Sequence, residues 1–379
     1  MDDRIVIKNG RIYIADQKSV DKADILVVNG KIAEIATAIP ADDGDSIDAS
    51  DCLVTPGLID YHAHLFAGVS DHGVWPDASM LPNGVTFAVD AGTSGASTYA
   101  AMKSLVLDHA QIGIRSFLNV SSFGMINDRI HEDLQPEAMN LERIASLFEQ
   151  YPSDLLGLKL RFSLDICPNM KPDVLYRALE MAERLSTRLV VHVTNPAMDI
   201  EQLALSLRSG DVFCHMYQGK GQSIVTESGK VRKGIREARE KGVLFDACNG
   251  RSNFSAPVAQ AAIEDGFLPD VISTDLTVST LYRHPVISLP YILSKYLAMG
   301  MALGDVLAAV TKTPASLMGL EPAKGSLRIG GDADIAIFKN KRLDVVFRDF
   351  FGNAVKGNEL LVPQITILNG RVAYRQTDF

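Results

Sequence analysis

The chain has 379 residues, 47% apolar and 22% charged, with 37 Lys and Arg against 46 Asp and Glu. That length suits one large globular domain, or two to three smaller ones, around a sizeable core. A net charge of −9 with no basic tract excludes nucleic acid as the main partner. No apolar run approaches the ~20 residues that span a bilayer, so no membrane partner is expected. The N-terminal MDDRIVIKNGRIYI lacks the cationic-then-apolar order of a secretion signal. The cysteines Cys52, Cys167, Cys214 and Cys248 are scattered, with no C-x-x-C, and read as free thiols in a reducing cytoplasm.

In chain order, IVIKNGRIYI at the start and ILVVNGKIAEI from Ile25 each place Asn-Gly between two β-branched runs. ITILNGRVAYR, from Ile365, repeats the pattern at the other end. Asn-Gly accepts φ > 0 at both turn positions, so each segment predicts a hairpin. Hairpins at both ends predict a small β-sandwich domain from the two termini, with GSLRIGGDADIAIFK adding to it. Between them, buried-type runs recur: LVTPGLID, VTFAVDAG, RSFLNVSS, LLGLKLRF, RLVVHVT, DVFCHMY, VLFDACNG and DVISTDL. Helical spacing fills many of the gaps, as in LYRALEMAERLS and VAQAAIEDG. Strand and helix alternating eight times predict an α/β fold, a (β/α)8 TIM barrel. The barrel is placed at residues 55–320 and the small β domain at 1–54 plus 321–379, closing after TPASLMGL with its Thr313–Pro314 start and Gly319 stop.

Barrel active sites lie at the C-terminal ends of the strands. The first run ends in Asp60-Tyr61-His62-Ala63-His64, and histidines at i and i+2 of an extended segment face one way. The fifth ends near His192, the sixth near His215 and the eighth in Ser273-Thr274-Asp275. Four histidines and an aspartate from four strand ends suit Zn²⁺ or a similar ion. His72, His109 and His131 fall in loops or helix-like stretches and read as bland; His284 lies near enough to the eighth loop to touch a substrate. Cys214 and His215 are adjacent on a strand and are expected to point to opposite faces, which rules them out as a nucleophile–base pair. Cys248 reads as a core thiol or a pocket wall.

The fourth run, LGLKLRFSL, alternates leucines with Lys159 and Arg161. Alternation alone allows a wet edge strand or an inward lysine. A barrel strand has no ordinary solvent face, so the leucines must meet the helices and Lys159 must point inward or toward the mouth. An ammonium beside divalent ions would be repelled and desolvated. A neutral amine can instead take up CO₂ as a carbamate, an anion able to bridge two metals.

This pattern resembles the amidohydrolase superfamily, in its binuclear, carboxylated-lysine branch. PGLIDYHAH, the strand-four lysine, the later single histidines, ISTDL and GSLRIGGDADIAIF carry the resemblance across almost the whole chain. GLKLR, HMYQGKG and ISTDL are similar to deacetylase/dihydroorotase-like metallohydrolases. The resemblance implies two divalent ions, Zn²⁺ in the first instance. His62, His64 and Asp275 would hold one, His192 and His215 the other, and carboxylated Lys159 would bridge. It departs at DACNGRSNF, where Asn249 stands at the place of a strand-seven histidine. Asn249 can donate a hydrogen bond to a substrate oxygen but is no acid or base near neutral pH.

The function expected is metal-dependent hydrolysis of an amide or ester bond in a small N-acyl or O-acyl carboxylate, with Asp275 moving the proton. Arg161, Lys220, Arg251 and Arg283 lie on or near the predicted mouth and suggest an anionic small-molecule substrate, with contact expected from Arg161, Lys220 and Arg251. Ring opening of a cyclic amide is the alternative. A Schiff-base lyase using Lys159 leaves the histidines without a role, and a mononuclear deaminase has no need of that lysine. A dead scaffold would be expected to lose ligands. Homo-oligomerisation is an expectation from family analogy alone.

Overall fold

The computed structural model describes residues 4–40, 45–127 and 129–379; residues 1–3 and 41–44 of the expected small domain lie outside them. In chain order the strands are β1 (Arg4–Ile14), β2 (Ser19–Val28), β3 (Lys31–Ala36), β4 (Asp45–Asp48), β5 (Cys52–Pro56), β6 (Leu58–Ala63), β7 (Val85–Gly95) and β8 (Gly113–Asn119). They continue with β9 (Leu155–Arg161), β10 (Arg188–His192), β11 (Val212–Cys214), β12 (Leu244–Asp246), β13 (Ile335–Arg348), β14 (Ala354–Leu368) and β15 (Arg371–Arg375).

Strands from both chain ends join in one eight-stranded sheet, ordered β15-β14-β13-β5-β1-β2-β3, with β4 also paired to β1. Its core is isoleucine and valine: Ile5, Ile7, Ile12, Ile25, Val27, Ile335, Ile337, Ile365 and Ile367 pack together. Two of the three Asn-Gly pairs make the expected hairpins. Asn29 and Gly30 join β2 to β3 with φ 50° and 78°, and Asn369 and Gly370 join β14 to β15 with φ 49° and 77°.

The first Asn-Gly does something else. Ile7 pairs with Ile25 and Gly10 with Ala23, so Lys8 and Asn9 together oppose Asp24. Asn9 is a bulge inside β1, and its N–H donates to Asp24 Oδ1 at 2.7 Å. That carboxylate satisfies the N–H that the bulge removes from the ladder, so the strand bends rather than ends. The reversal comes later, in a turn at residues 15–18.

The second sheet is parallel, ordered β12-β11-β10-β9-β8-β7-β6. The eighth run forms no regular strand, yet it bridges both sheet edges: Val271 pairs with Asp246 of β12 and Leu276 with Ala63 of β6. The result is a TIM-barrel-like α/β fold. The first buried run, LVTPGLID, splits between the two sheets at Gly57. β5 pairs with β1 and β13, while β6 pairs with β7. Only a glycine fits this crossing, because a Cβ on Gly57 would lie 2.1 Å from Thr86 Oγ1.

Alternation sorts the barrel strands as their inward and outward roles require. Leu158, Leu160, Leu189, Val191 and Phe213 join the large cluster that includes helix residues such as Leu175, Ala178 and Leu203. Tyr61, Phe87, Val89, Phe117, Val190 and Val212 form a separate inner cluster. Lys159, between the two leucines, therefore points inward. The helices read from the sequence form at Pro172–Arg184, Ala256–Glu264 and Lys312–Leu317, and a further helix forms at Leu289–Ala298. No helix among the described residues is long and apolar enough to cross a membrane.

Candidate active site

β6 delivers His62 and, one residue beyond its end, His64, with ring centroids 5.8 Å apart. Both turn to one carboxylate oxygen: Asp275 Oδ1 lies 3.0 Å from His64 Nε2 and 3.7 Å from His62 Nε2. Asp275 reaches them from a left-handed backbone, φ 53°. Its N–H donates to the His62 carbonyl at 2.8 Å, and Asn253 Nδ2 donates to its Oδ2 at 3.0 Å. His192 ends β10 and His215 follows β11, with centroids 4.3 Å apart. Lys159 comes from the middle of the group, its Nζ 3.2 Å from His62 Nε2. These six residues line one cavity of about 370 Å³ at the C-terminal ends of the strands.

The hydrogen bonds behind the histidines fix which ring nitrogens face the cavity. The one hydroxyl hydrogen of Thr93 goes to Asp90 Oδ2 at 2.6 Å, so Thr93 Oγ1 accepts from His64 Nδ1 at 2.8 Å. The Nε2 of a neutral His64 is then an acceptor, and it faces the acceptor Oδ1 of Asp275 at 3.0 Å. Two acceptors this close repel unless a cation, a proton or a metal ion, sits between them. His215 is set the same way, its Nδ1 donating to the Cys248 carbonyl at 2.8 Å and leaving Nε2 as the acceptor.

Lys159 is buried, and among the described residues no carboxylate oxygen lies within 4.0 Å of its Nζ. A plain ammonium there has histidines for neighbours and no counter-ion. Burial, with His215 and Lys159 beside it, pushes the His192 imidazole well below its usual range, toward the neutral form that a metal ligand needs. With His64 protonated, burial still pushes the Asp275 carboxyl up, but its hydrogen bond to His64 and the charges of His215, His64 and His62 outweigh that and hold the group well below the usual carboxylate range. This donor set fits divalent ions.

The amidohydrolase family profile matches residues 53–372, a span that takes in every one of these side chains. The chain belongs to the amidohydrolase family. It is similar to a deacetylase of Agrobacterium fabrum, 30% identical over 353 residues, 92% of this chain and 86% of that one. It is equally similar to a deacetylase of Brucella anthropi, 30% identical over 348 residues, with 91% and 86% covered. A solved dihydroorotase superposes with a TM-score of 0.89 at 28% identity, over 98% of this chain and 97% of that one. A solved adenine deaminase gives 0.89 at 26% identity, over 98% and 99%. This amidohydrolase is an enzyme, a hydrolase of C–N bonds.

Of the expected substrate contacts, Arg161, Lys220 and Arg251 line the cavity. Arg161 is already held, its Nε and one terminal nitrogen donating to the two oxygens of buried Glu132. Burial alone would raise the Glu132 carboxyl; the Arg161 charge and hydrogen bonds win and lower it. Lys220 donates to Asp165 Oδ2 at 2.9 Å. Asn249 does not reach the wall. It is buried, with Nδ2 donating to the Ser273 carbonyl at 3.2 Å and Oδ1 accepting from Lys295 Nζ at 2.5 Å. With Oδ1 and one Nδ2 hydrogen engaged inside the protein and the side chain off the cavity wall, the expected donation to a substrate oxygen is corrected. His284 contacts Tyr291 Oη at 3.4 Å and is not among the lining residues.

Cys214 and His215 also depart from expectation. β11 stops at Cys214, and His215 takes φ 64°, so strand alternation no longer applies. The two side chains converge: their ligand atoms, with those of His62 and Cys248, all lie within 4.8 Å of one another.

Several residues were missed. His72 and His131, set aside as loop histidines, both line the cavity. Asp246 Oδ2 lies 3.6 Å from His62 Nδ1, and both Asp246 oxygens accept from Ser273 Oγ. Asp60 accepts from the Thr274 N–H and hydroxyl, tying the first strand end to the eighth; burial, opposed by those bonds, lifts its pKa to about 7. Asp60 and Asp246 stand within two residues of proposed ligands or on a strand end. That was a signal available in the sequence. Asp90, near the end of VTFAVDAG, carried the same signal; Glu132 carried none, because the fold brings it in from a distant position.

Proposed function

We propose that this amidohydrolase removes an acyl group from a small carboxylate bearing an N-acyl or O-acyl bond. The reading is carried by the 3.0 Å approach of His64 Nε2 to Asp275 Oδ1, two acceptors that need a cation between them. The deacetylase relatives, similar over about nine-tenths of the chain, support acyl removal. His62, His64 and Asp275 would hold one divalent ion, His192 and His215 a second, with Lys159 bridging as a CO₂-derived carbamate; Zn²⁺ suits the set. Such ions would supply Lewis-acid polarisation of the scissile carbonyl and acidify a water.

The chain's own residues do the remainder. Asp275 accepts the proton of the attacking water and returns it to the leaving amine or alkoxide. Asn253 steadies Oδ2 of Asp275 at 3.0 Å. Arg251 anchors the substrate carboxylate: it lines the cavity, and no carboxylate lies within 4.0 Å of it among the described residues. Arg161 and Lys220, each with a carboxylate partner, shape the wall beside it.

Purified protein is expected to carry close to two divalent ions per chain. Lys159→Ala should lose most of the metal and roughly a thousandfold in kcat/KM, about 4 kcal/mol. Full activity in a chelated, metal-free preparation would sink the reading. Ring opening of a cyclic amide is the second reading, favoured by the solved dihydroorotase at 28% identity over 98% of the chain. A screen of N-acetyl D- and L-amino acids, acetylated hydroxy acids and cyclic ureides on Zn- and Mn-loaded enzyme separates the two. Preference for the ureides replaces deacylation and leaves the ligand assignment in place.

A further inference from the structure

Beneath the cavity lies a second convergence of ligand atoms. Cys214 and Cys248 are fully buried, and His62 and His215 are 1% exposed. One atom from each of the four lies within 4.8 Å of all the others. Cys214 Sγ is 3.3 Å from His62 Nδ1, the ring nitrogen on the far side from Asp275. His215 and Cys248 both hold left-handed backbone, φ 64° and 26°, which non-glycine residues seldom adopt without a local reason. The other two cysteines, Cys52 and Cys167, pack in different clusters.

Two thiols and two imidazoles are the donors of a closed tetrahedral site for a thiophilic ion. Metal–sulfur bonds of about 2.3 Å imply sulfur–sulfur separations of about 3.8 Å, so no pair within 4.8 Å needs to close by much more than about 1 Å. Two thiolates cancel the charge of a divalent ion, so an ammonium at Lys159, whose Nζ lies 3.9 Å from Cys214 Sγ, would face a neutral centre rather than a repelling cation.

We propose that Cys214, Cys248, His62 and His215 form an alternative Cys₂His₂ metal site that takes one thiophilic divalent ion. Each thiol releases its proton to solvent on binding. His62 and His215 are shared with the two-ion centre proposed above, so the two arrangements exclude each other. The Cys₂His₂ form belongs to the chain whose Lys159 is an ammonium, and the two-ion form to the chain whose Lys159 is carboxylated. The Cys₂His₂ donor set stands on geometry, and its exclusion by carboxylated Lys159 rests on the two-ion reading above.

The test is Co²⁺ titration of the reduced, full-length, metal-free protein in bicarbonate-free buffer. The first equivalent should bring in a thiolate-to-cobalt charge-transfer band in the near ultraviolet. Cys214→Ser and Cys248→Ser should each abolish or strongly reduce it, while His64→Ala should keep it. Bicarbonate with excess Co²⁺ should remove the band as a second ion binds. Cd²⁺ titration of the unaltered chain, read by thiolate–cadmium absorbance, makes the test independent of how the variants fold. Absence of any thiolate band, or a band that survives both cysteine variants, would overturn the Cys₂His₂ site; a band indifferent to bicarbonate would overturn its exclusion by the two-ion form. Two cobalt ions per chain without a thiolate band would overturn the site while leaving the hydrolytic centre standing.

Discussion

The terminal sheet and the cavity end of the barrel use the same unusual backbone for opposite purposes. At the hairpin turns of the sheet, left-handed residues are Asn29, Gly30, Asn369 and Gly370, with φ between 49° and 78°. These residue types accept that region at low cost, and it reverses the chain. At the cavity, beside glycines such as Gly92 and Gly250, left-handed backbone is taken by His215, Cys248 and Asp275. They reverse nothing. Each brings a side chain into one of two groups of ligand atoms that share His62, a convergence that strand alternation would have missed. The cavity end adds strained non-glycine residues where donor atoms must meet, whereas the two Asn-Gly turns use residue types that take this backbone at low cost.

The largest effect should come from the donor that both strand-one histidines address. Asp275→Asn keeps the shape of the side chain and removes its charge. It should lower kcat/KM by roughly a thousandfold or more, about 4 kcal/mol. Thermal unfolding should shift far less than activity, since the neighbours of Asp275 are cavity residues. A variant retaining a tenth of wild-type activity would deny Asp275 its proton-transfer role.

Two glycines with nearly equal φ sharpen the comparison. Gly92 in β7 has φ 79°, and Gly30 in the terminal hairpin has φ 78°. A Cβ on Gly92 would lie 2.6 Å from Lys159 Cβ, whereas one on Gly30 would meet the Asn369 carbonyl oxygen at 3.0 Å. Both alanine variants should lose stability, on the order of 1 kcal/mol from φ alone. Gly92→Ala should also displace Lys159, cutting bound metal and lowering kcat by roughly a hundredfold. Gly30→Ala should leave kcat and metal content as they were. Equal kinetic effects from the two would remove the distinction between the regions.

A smaller effect belongs to Glu132. Its carboxylate cancels the Arg161 charge on the cavity wall. Glu132→Gln should leave the cavity one charge more positive. KM for an anionic substrate should fall severalfold, on the order of 1 kcal/mol, while KM for a neutral analogue stays put. A rise in KM for the anion would show instead that Glu132 holds Arg161 in its binding pose.

How much of this was legible in the sequence follows the same division. Periods of two and repeated buried runs revealed both sheets, because alternation is a local property. Local pattern also placed His62, His64, Lys159, His192, His215 and Asp275 at strand ends. It failed wherever a distant partner decided the outcome. Asn9-Gly10 bends β1 because Asp24, fifteen residues away, accepts its N–H. Asn249 turns from the cavity because Lys295 and the Ser273 carbonyl claim its amide. Cys214 and His215 share a side because β11 is only three residues long and ends between them. No run of residues states such facts, since each depends on packing across the barrel.

The smallest kinetic effect and the clearest pH signature are expected at Lys295, which lies outside the cavity and packs behind it. Its Nζ sits 3.6 Å from the centroid of the Phe254 ring and donates to Asn249 Oδ1. Burial drives its pKa from 10.5 down to about 7, with Asp349 pulling weakly the other way. The unfolded chain holds that proton up to about pH 10.5, whereas the folded chain gives it up near 7. Between those values the unfolded state binds more protons, so stability should rise with pH, by on the order of 1 kcal/mol per pH unit from this group. Below pH 7 both states are protonated and the full cost of burying the ammonium persists. Lys295→Met removes that titration and leaves Asn249 Oδ1 without its donor, a loss that does not vary with pH. Unfolding midpoints of the two proteins should therefore run closest, or favour Met, near pH 6, and should separate in favour of the wild type by pH 9. Curves that stay parallel across that range would mean that Lys295 keeps its charge in the fold, held by Phe254 and Asn249 together.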